Sequence, residues 1–134
     1  MAALSDYLEN ALIAHLFRNT NYTRPANIYV ALYTAAPNDA GGGTEVSGGS
    51  YARQAVATGA SSGWDAESGG ATANTATITF PTATANWGTV THVGLFDAVT
   101  GGNLLMHGVL SSSQAVNSGN IFRFNAGDLD ISLA

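Results

Sequence analysis

The chain contains no lysine and no cysteine, and its only permanently cationic side chains are four arginines. A Schiff-base enzyme or a phosphate-binding P-loop needs a lysine. Disulfides, thiol catalysis and thiolate metal sites all need cysteine. Nine acidic residues outweigh the arginines and give a net charge of −5, so the basic stripe that binds a nucleic-acid backbone is missing as well. These absences favour a structural role over a catalytic or nucleic-acid-binding one.

Charge of either sign is scarce: only 10% of the 134 residues are charged, against about 25% in an average protein. Apolar residues make up 46%, which is enough for a core, and we expect one domain over residues 1–134. No run of about 18 apolar residues predicts a membrane helix. Asp6 and Glu9 interrupt the first apolar segment, so no secretory signal is predicted. We therefore expect a soluble protein whose charge-poor surface suits burial in an assembly.

The only predicted helix covers about residues 5–18. Ser5 is a suitable N-cap, and Asp6 and Glu9 are favourable near the positive end of the helix dipole. Apolar residues recur every four positions along one face. A helix this short is marginal alone in water, so its apolar face must dock on the sheet or on a neighbouring subunit. The candidate residues for an oligomer or capsid contact are Leu8, Leu12, His15 and Leu16.

From about residue 27 to 134 the hydrophobic period changes to two. This predicts a mainly β fold, a jelly-roll-like antiparallel β-sandwich of about seven strands behind the N-terminal helix. Strands 89–97 and 103–111 are expected to form a hairpin, and strands 120–125 and 129–133 to pair with each other. The other predicted strands begin near residues 27, 51 and 75.

Two glycine-rich segments, 37–43 and 59–74, are predicted loops, the first of them a mobile tip. The second carries Trp64, Asp65 and Glu67. An acid pair two residues apart in such a loop is poorly held for glycosidase chemistry, and no catalytic residue is predicted. The three residues are instead candidates for glycan or receptor contact. The alternative is that Trp64 folds back over the sheet.

Three further aromatic residues and one acid are assigned to a surface, the core or a turn. Tyr33 and Tyr51 are further candidates for exposed recognition surfaces. Trp87, flanked by strand signals, is predicted to lie in the core. Asp128 is predicted to stabilise a turn by bonding nearby backbone amides.

The histidines of the predicted hairpin could meet. If the turn has four residues, His92 and His107 face each other about 5 Å apart, whereas a slip by one residue puts them on opposite faces. Both have apolar neighbours and no third ligand is evident. We expect packing or subunit-contact histidines, with no metal and no cofactor.

Several segments together resemble a known family. Residues 5–12, 27–34, 42–54, 87–97 and 126–131 are similar to small virion proteins of tailed bacteriophages. The run Tyr-Ala-Arg-Gln at 51–54 is the most specific part. The segment with Trp64 lies outside the resemblance.

The resemblance implies a non-enzymatic β-sandwich module, typically trimeric, of the tail-fibre-like or capsid-decoration (cement) type. It implies a virion protein, on the capsid exterior or in a tail fibre, made in the cytoplasm of the bacterial host. Its partners would be further copies of itself and the major capsid protein or tail proteins. The sequence offers no heptad run or β-repeat for a fibre shaft, so we favour a homotrimeric cement protein that stabilises the head shell. The alternative is the distal module of a fibre or tailspike that recognises a host receptor or surface glycan.

Overall fold

The computed structural model describes residues 3–59 and 63–133, which form one helix and ten β-strands. The predicted mainly β architecture with one N-terminal helix is confirmed. The helix α1 is Asp6–Phe17, and the strands are β1 Ala3–Leu4, β2 Asn27–Ala35, β3 Thr44–Glu45, β4 Gln54–Ala57, β5 Ala71–Ala73, β6 Ile78–Thr79, β7 Gly88–Phe96, β8 Leu104–Val116, β9 Arg123–Phe124 and β10 Asp130–Ser132.

The larger layer is an antiparallel sheet built on the three long strands β2, β7 and β8. Its order is β1-β8-β7-β2, and β3 and β4 both pair with the far edge of β2. The predicted hairpin is confirmed as β7 and β8, although β8 runs on to Val116. Two register shifts interrupt this hairpin, one between Val90 and His92 and one between Leu95 and Phe96.

The second layer consists of two short strand pairs, β5 with β10 and β6 with β9. The predicted pairing of 120–125 with 129–133 is therefore wrong. These segments are joined by the predicted turn, in which the carboxylate of Asp128 accepts from the Asn125 amide. Each of them pairs instead with a strand from the middle of the chain, β9 with β6 and β10 with β5. The loop predicted over 59–74 also contains β5, and its residues 60–62 lie outside the described part.

The core lies between the two layers and is rich in aromatic rings. Phe80 is 1% exposed and packs edge-on against Phe122 and Phe124. Trp87 is buried, as predicted, and its Nε1 donates to the Gly49 carbonyl at 2.9 Å. A Cβ on Gly49 would lie 2.8 Å from that nitrogen, so glycine allows this close approach.

Helix α1 docks mainly through its first turns. The hydroxyl of Ser5 accepts from the Leu8 amide and donates to the Leu104 carbonyl, which ties the predicted N-cap to the start of β8. Leu8 packs against the core, but none of the twelve helix residues is fully buried. The apolar face towards the C-terminal end of α1 therefore remains open to solvent.

Within residues 3–59 and 63–133, no helix is long and apolar enough to cross a membrane.

Candidate functional site

A groove of about 540 Å³ opens on the face of the larger sheet that points away from the core. Side chains alternate along a strand, so Tyr33 and Phe96 face this groove while Leu32 and Leu95 face the core. We call it the polar groove. Its lining is formed by the start of α1, the 39–43 loop, Tyr33, Glu45, Arg53, Phe96 and residues 101–104.

The floor of the polar groove is held by an ion pair that the sequence analysis did not identify. Arg53 and Glu45 form a two-pronged pair, with Nε–Oε2 and Nη2–Oε1 distances of 2.8 Å each. The Arg53 Nη1 also donates to the carbonyls of Ala98 and Gly101, both at 2.9 Å. Its guanidinium lies 3.6 Å above the centre of the Phe96 ring. Arg53 thus joins β3, the segment before β4 and the turn of the β7–β8 hairpin.

Tyr51 extends this network into the core. Its hydroxyl donates to Glu45 Oε2 at 2.7 Å and accepts from the Leu32 amide at 3.0 Å. Its ring stacks on Phe80 and meets Trp87 edge-on. The prediction that Tyr51 is an exposed recognition residue is therefore wrong, because both ends of the side chain are engaged.

Tyr33 is also not exposed, contrary to the sequence analysis. It is 4% exposed, and its ring stacks against Phe96 with a centroid separation of 6.5 Å. Position 33 points away from the core, but the loops around the polar groove cover it.

The ionisation states of this network follow from burial and hydrogen bonding. Burial raises the pKa of Glu45, but the hydrogen bonds from Arg53 and Tyr51 outweigh it, so the pKa lies below its usual value. Burial lowers the pKa of Arg53, and the bond to Glu45 reverses this into a net increase. Burial, then the charge of Glu45, raises the pKa of Tyr33 to about 12. Burial and the bond to Glu45 also raise the pKa of Tyr51. At neutral pH this network of Glu45, Arg53, Tyr33 and Tyr51 holds one carboxylate, one guanidinium and two neutral phenols.

The 37–43 loop forms one wall of the polar groove and is anchored, although the sequence predicts a mobile tip. The Asp39 carboxylate lies 2.8 Å from His107 Nε2, and the Asp39 carbonyl accepts from the Asp6 amide at 2.9 Å. Gly43 adopts a φ of +71°, and a Cβ there would lie 2.7 Å from the Pro37 nitrogen. The loop is exposed as expected, but side-chain and backbone bonds hold its shape.

The two hairpin histidines are not directly opposite each other. His92 lies across from Val109, and His107 lies across from Gly94. Next to the turn, Phe96 pairs with Leu104, one position beyond the predicted register, and the shift between Leu95 and Phe96 adds a second position. His92 Nδ1 lies 2.8 Å from the Thr91 hydroxyl, whereas His107 contacts Asp39. Among the described residues, no group of three His, Asp or Glu could hold a metal ion.

The four candidate contact residues on α1 have different environments. Leu8 and Leu12 are half-buried, whereas His15 is exposed and its Nδ1 accepts from the Tyr22 amide at 3.2 Å. Leu16 is 71% exposed. Their role in an oligomer or capsid contact stays a prediction.

Trp64 folds back towards the core instead of standing out from its loop. It is half-buried and lines a second groove of about 270 Å³, which we call the apolar groove and which also contains Leu8, Tyr22, Pro25, Ile28 and Thr72. Its Nε1 is buried without a hydrogen-bond partner among the described residues. The Asp65 carboxylate accepts from the Thr75 hydroxyl, and Glu67 is exposed. This is the alternative that the sequence left open for Trp64.

Asn74 is a further residue that sequence reasoning missed. It is 1% exposed, and its side chain bonds the nearby Ala76 carbonyl and two backbone groups of the turn between β9 and β10, the Asn125 carbonyl and the Leu129 amide. It lies in a Thr/Ala/Asn run without any pattern typical of a buried amide, so no sequence signal could have found it. The Tyr-Ala-Arg-Gln run, in contrast, is a specific motif of the sequence, and the structure gives Tyr51 and Arg53 their structural roles.

Comparison with known families connects these features to a biological context. Residues 3–132 match the Gp80 family, described as podophage GP4 fiber I protein gp80. No curated protein matches the chain. The resemblance to tailed-phage virion proteins is confirmed, and the match favours the tail-fibre interpretation over capsid decoration. Because the match extends over almost the whole chain, this protein belongs to the Gp80 family of phage fibre proteins and is a structural component of the virion.

Proposed function

We propose that the chain is a non-enzymatic module of a tail fibre that binds a neutral saccharide of the host surface in the polar groove. Membership of a fibre-protein family supports the fibre position. The observation that carries the ligand assignment is the chemistry of the polar groove. Its size of about 540 Å³ is within the range of small-ligand sites.

The lining of the polar groove suits hydroxyl groups and flat sugar faces. Tyr7 is 43% exposed at the rim and offers an aromatic face. Asp39 and Asn103 are exposed beside glycine backbone, and their side-chain oxygens can accept from sugar hydroxyls in addition to the bonds that Asp39 makes to His107 and Asn103 to Asp97.

The charge of the lining argues against an anionic ligand. Three acids, Asp6, Asp39 and Glu45, outnumber the single arginine. The guanidinium of that arginine, Arg53, is already engaged by Glu45 and two carbonyls. A neutral sugar is the ligand class that these groups fit.

The same contacts argue against glycoside hydrolysis. The general acid of that reaction needs a carboxyl group with a raised pKa. The pKa of Glu45 is lowered, and the carboxylate is held by Arg53 and Tyr51. Asp39 is occupied by His107.

Capsid decoration by a homotrimer is the competing proposal, which the absence of a heptad run or β-repeat for a shaft in the sequence favours. A fibre can be assembled from several chains, so a module without a shaft also fits a joint or a tip. The family match therefore favours the fibre.

Binding of the labelled protein to host cells tests the saccharide proposal. We expect Tyr7→Ser to raise the apparent Kd about 3- to 10-fold, since an aromatic contact contributes about 0.5–1.5 kcal/mol beyond its area. Glu67→Gln, an exposed change in the Trp64 segment, serves as the matched control and should bind like the unmodified protein. Periodate oxidation of cell-surface sugars should abolish binding.

Two results would count against this proposal. Binding that survives periodate but not protease treatment of the cells would indicate a protein receptor. Loss of binding in Trp64→Ala, with Tyr7→Ser unaffected, would move the contact to the segment with Trp64, Asp65 and Glu67.

A further inference from the structure

The apolar groove beside Trp64 reaches down to the core of the domain. Its walls include side chains of α1, β2 and β5, and its volume is about 270 Å³. Its deepest lining residues are buried side chains of the core, namely Leu95, Leu105, Met106 and Ile131. An apolar molecule in this groove would therefore leave water and contact the core itself, which is favourable in proportion to the apolar area removed from water.

One cationic side chain lies at the edge of the apolar groove. Arg24 is exposed, and its Nη1 donates to the Thr58 carbonyl at 2.7 Å. Thr58 also lines the groove, and its hydroxyl donates to the Pro25 carbonyl at 2.6 Å, so the guanidinium is held in place at the groove edge. Within the part of the chain that the structure describes, nothing accepts a hydrogen bond from the Nε or Nη2 of Arg24. These two donors can therefore bind an anionic group.

The charge of the apolar groove differs from that of the polar groove. Arg24 is the one charged residue that lines the apolar groove, although the chain has nine acids and only four arginines. In the polar groove, by contrast, three acids accompany Arg53, and the guanidinium of Arg53 is bonded through all three of its nitrogens. A ligand with an apolar body and one anionic group therefore complements the apolar groove.

We propose that the apolar groove binds a medium-chain fatty acid, whose carboxylate accepts from Arg24 and whose alkyl chain lies against the core residues of the groove. A cavity of about 150 Å³ accepts the ring of benzene, so a groove of about 270 Å³ has room for a chain of roughly ten carbons. Charge-assisted hydrogen bonds from a guanidinium to a carboxylate are among the stronger ones in proteins. The two grooves share no lining residue, so this site is independent of saccharide binding in the polar groove.

Titration of the full chain with decanoate, followed by calorimetry and by tryptophan emission, tests this site. Trp64 lines the groove, whereas Trp87 is 6% exposed and provides a constant background. We expect the emission of Trp64 to change with decanoate, with an apparent Kd on the order of 0.1–1 mM. Butanoate has the same carboxylate but a much shorter chain, so it should bind at least about 10-fold more weakly.

Arg24→Gln separates the contribution of the carboxylate from that of the alkyl chain. This variant should raise the Kd for decanoate about 3- to 10-fold, because the charge-assisted bonds are lost. Its Kd for decanol, which has the same chain without the charge, should stay within about 2-fold of the unmodified protein. Arg18→Gln is the matched control, because Arg18 is an exposed arginine at the end of α1, outside the groove. It should bind decanoate like the unmodified protein.

Three results would overturn the fatty-acid proposal. The first is the absence of decanoate binding in calorimetry. The second is an equal affinity of Arg24→Gln and Arg18→Gln for decanoate, or of the unmodified protein for decanoate and decanol, since Arg24 would then not hold the carboxylate. The third is decanoate binding without any change in the emission of Trp64, because the ligand would then lie outside the apolar groove.

Discussion

Asn74→Ala is expected to lower the free energy of unfolding by about 2–4 kcal/mol. The Nδ2 group donates to the carbonyls of Ala76 and Asn125, at 2.8 and 3.0 Å. The Oδ1 atom accepts from the Leu129 amide at 2.9 Å. Alanine would leave the buried Leu129 amide without its acceptor and remove a donor from the part-buried carbonyls of Ala76 and Asn125, of which Asn125 keeps the bond from the Asp128 amide. The loss of a partner at a buried group costs more than the net value of an ordinary hydrogen bond. The effect should be large because one side chain holds the ends of the second layer together.

Urea unfolding followed by circular dichroism measures this effect. Asn86→Ala provides the control: Asn86 also uses its Oδ1 to accept one backbone bond, from Ser118, but is exposed. Its loss should cost no more than about 1 kcal/mol, because water replaces the missing group. Equal stabilities for the two variants would show that the buried bonds of Asn74 do not hold the second layer.

Arg53→Ala is expected to cost about 2–4 kcal/mol at neutral pH. The Arg53 side chain is 8% exposed and that of Glu45 is 24% exposed, so alanine would leave a partly buried carboxylate without its cation. It would also remove two bonds to the hairpin turn and the contact with the Phe96 ring. The lower end of this estimate is smaller than the usual cost of breaking a fully buried ion pair, because water can reach the Glu45 carboxylate.

The pH dependence separates the ion pair from the other contacts of Arg53. The folded pKa of Glu45 is lowered, so this carboxylate stabilises the fold above its unfolded pKa, and the stabilisation is lost as the pH falls through the folded pKa. The stability difference between the unmodified protein and Arg53→Ala should therefore shrink in acid without vanishing. Arg24→Ala, which removes an exposed arginine bonded to Thr58, should cost under about 1 kcal/mol with little pH dependence. A cost for Arg53→Ala that is equally small would contradict the role assigned to the ion pair.

Local features of the fold could be predicted from the sequence. The helix predicted over about 5–18 is observed as Asp6–Phe17, because the Ser5 cap and the following apolar residues are signals within one short segment. The β7–β8 hairpin could be predicted for the same reason, since its turn and its alternating strands are adjacent in sequence.

Features that depend on distant partners could not be predicted. Strand pairs such as β5 with β10 join residues about 60 positions apart. Short Thr/Ala-rich strands have no sequence pattern that identifies the strand with which they pair. The position of His92 depends on a register shift in the hairpin ladder, which the hydrophobic alternation does not reveal.

In the candidate site, too, local motifs could be predicted from the sequence, whereas contacts between distant residues could not. Tyr51 and Arg53 stood out as part of a specific motif, but their partners Glu45 and the hairpin turn are brought to them only by the folded sheet. Trp64 was placed in a polar loop because its immediate neighbours are polar. In the folded chain Trp64 packs against the core and shares the apolar groove with Leu8 and Ile28, which come from other parts of the chain.

Electron cryomicroscopy of the intact virion tests the central claim, that this protein is a fibre component, most directly. The fold described here, a sheet of six strands faced by two short strand pairs, provides the shape to locate. The account predicts matching density in the fibres at the tail, in a small number of copies per particle. Density at the symmetry axes of the capsid, in hundreds of copies, would contradict it and support the decoration alternative.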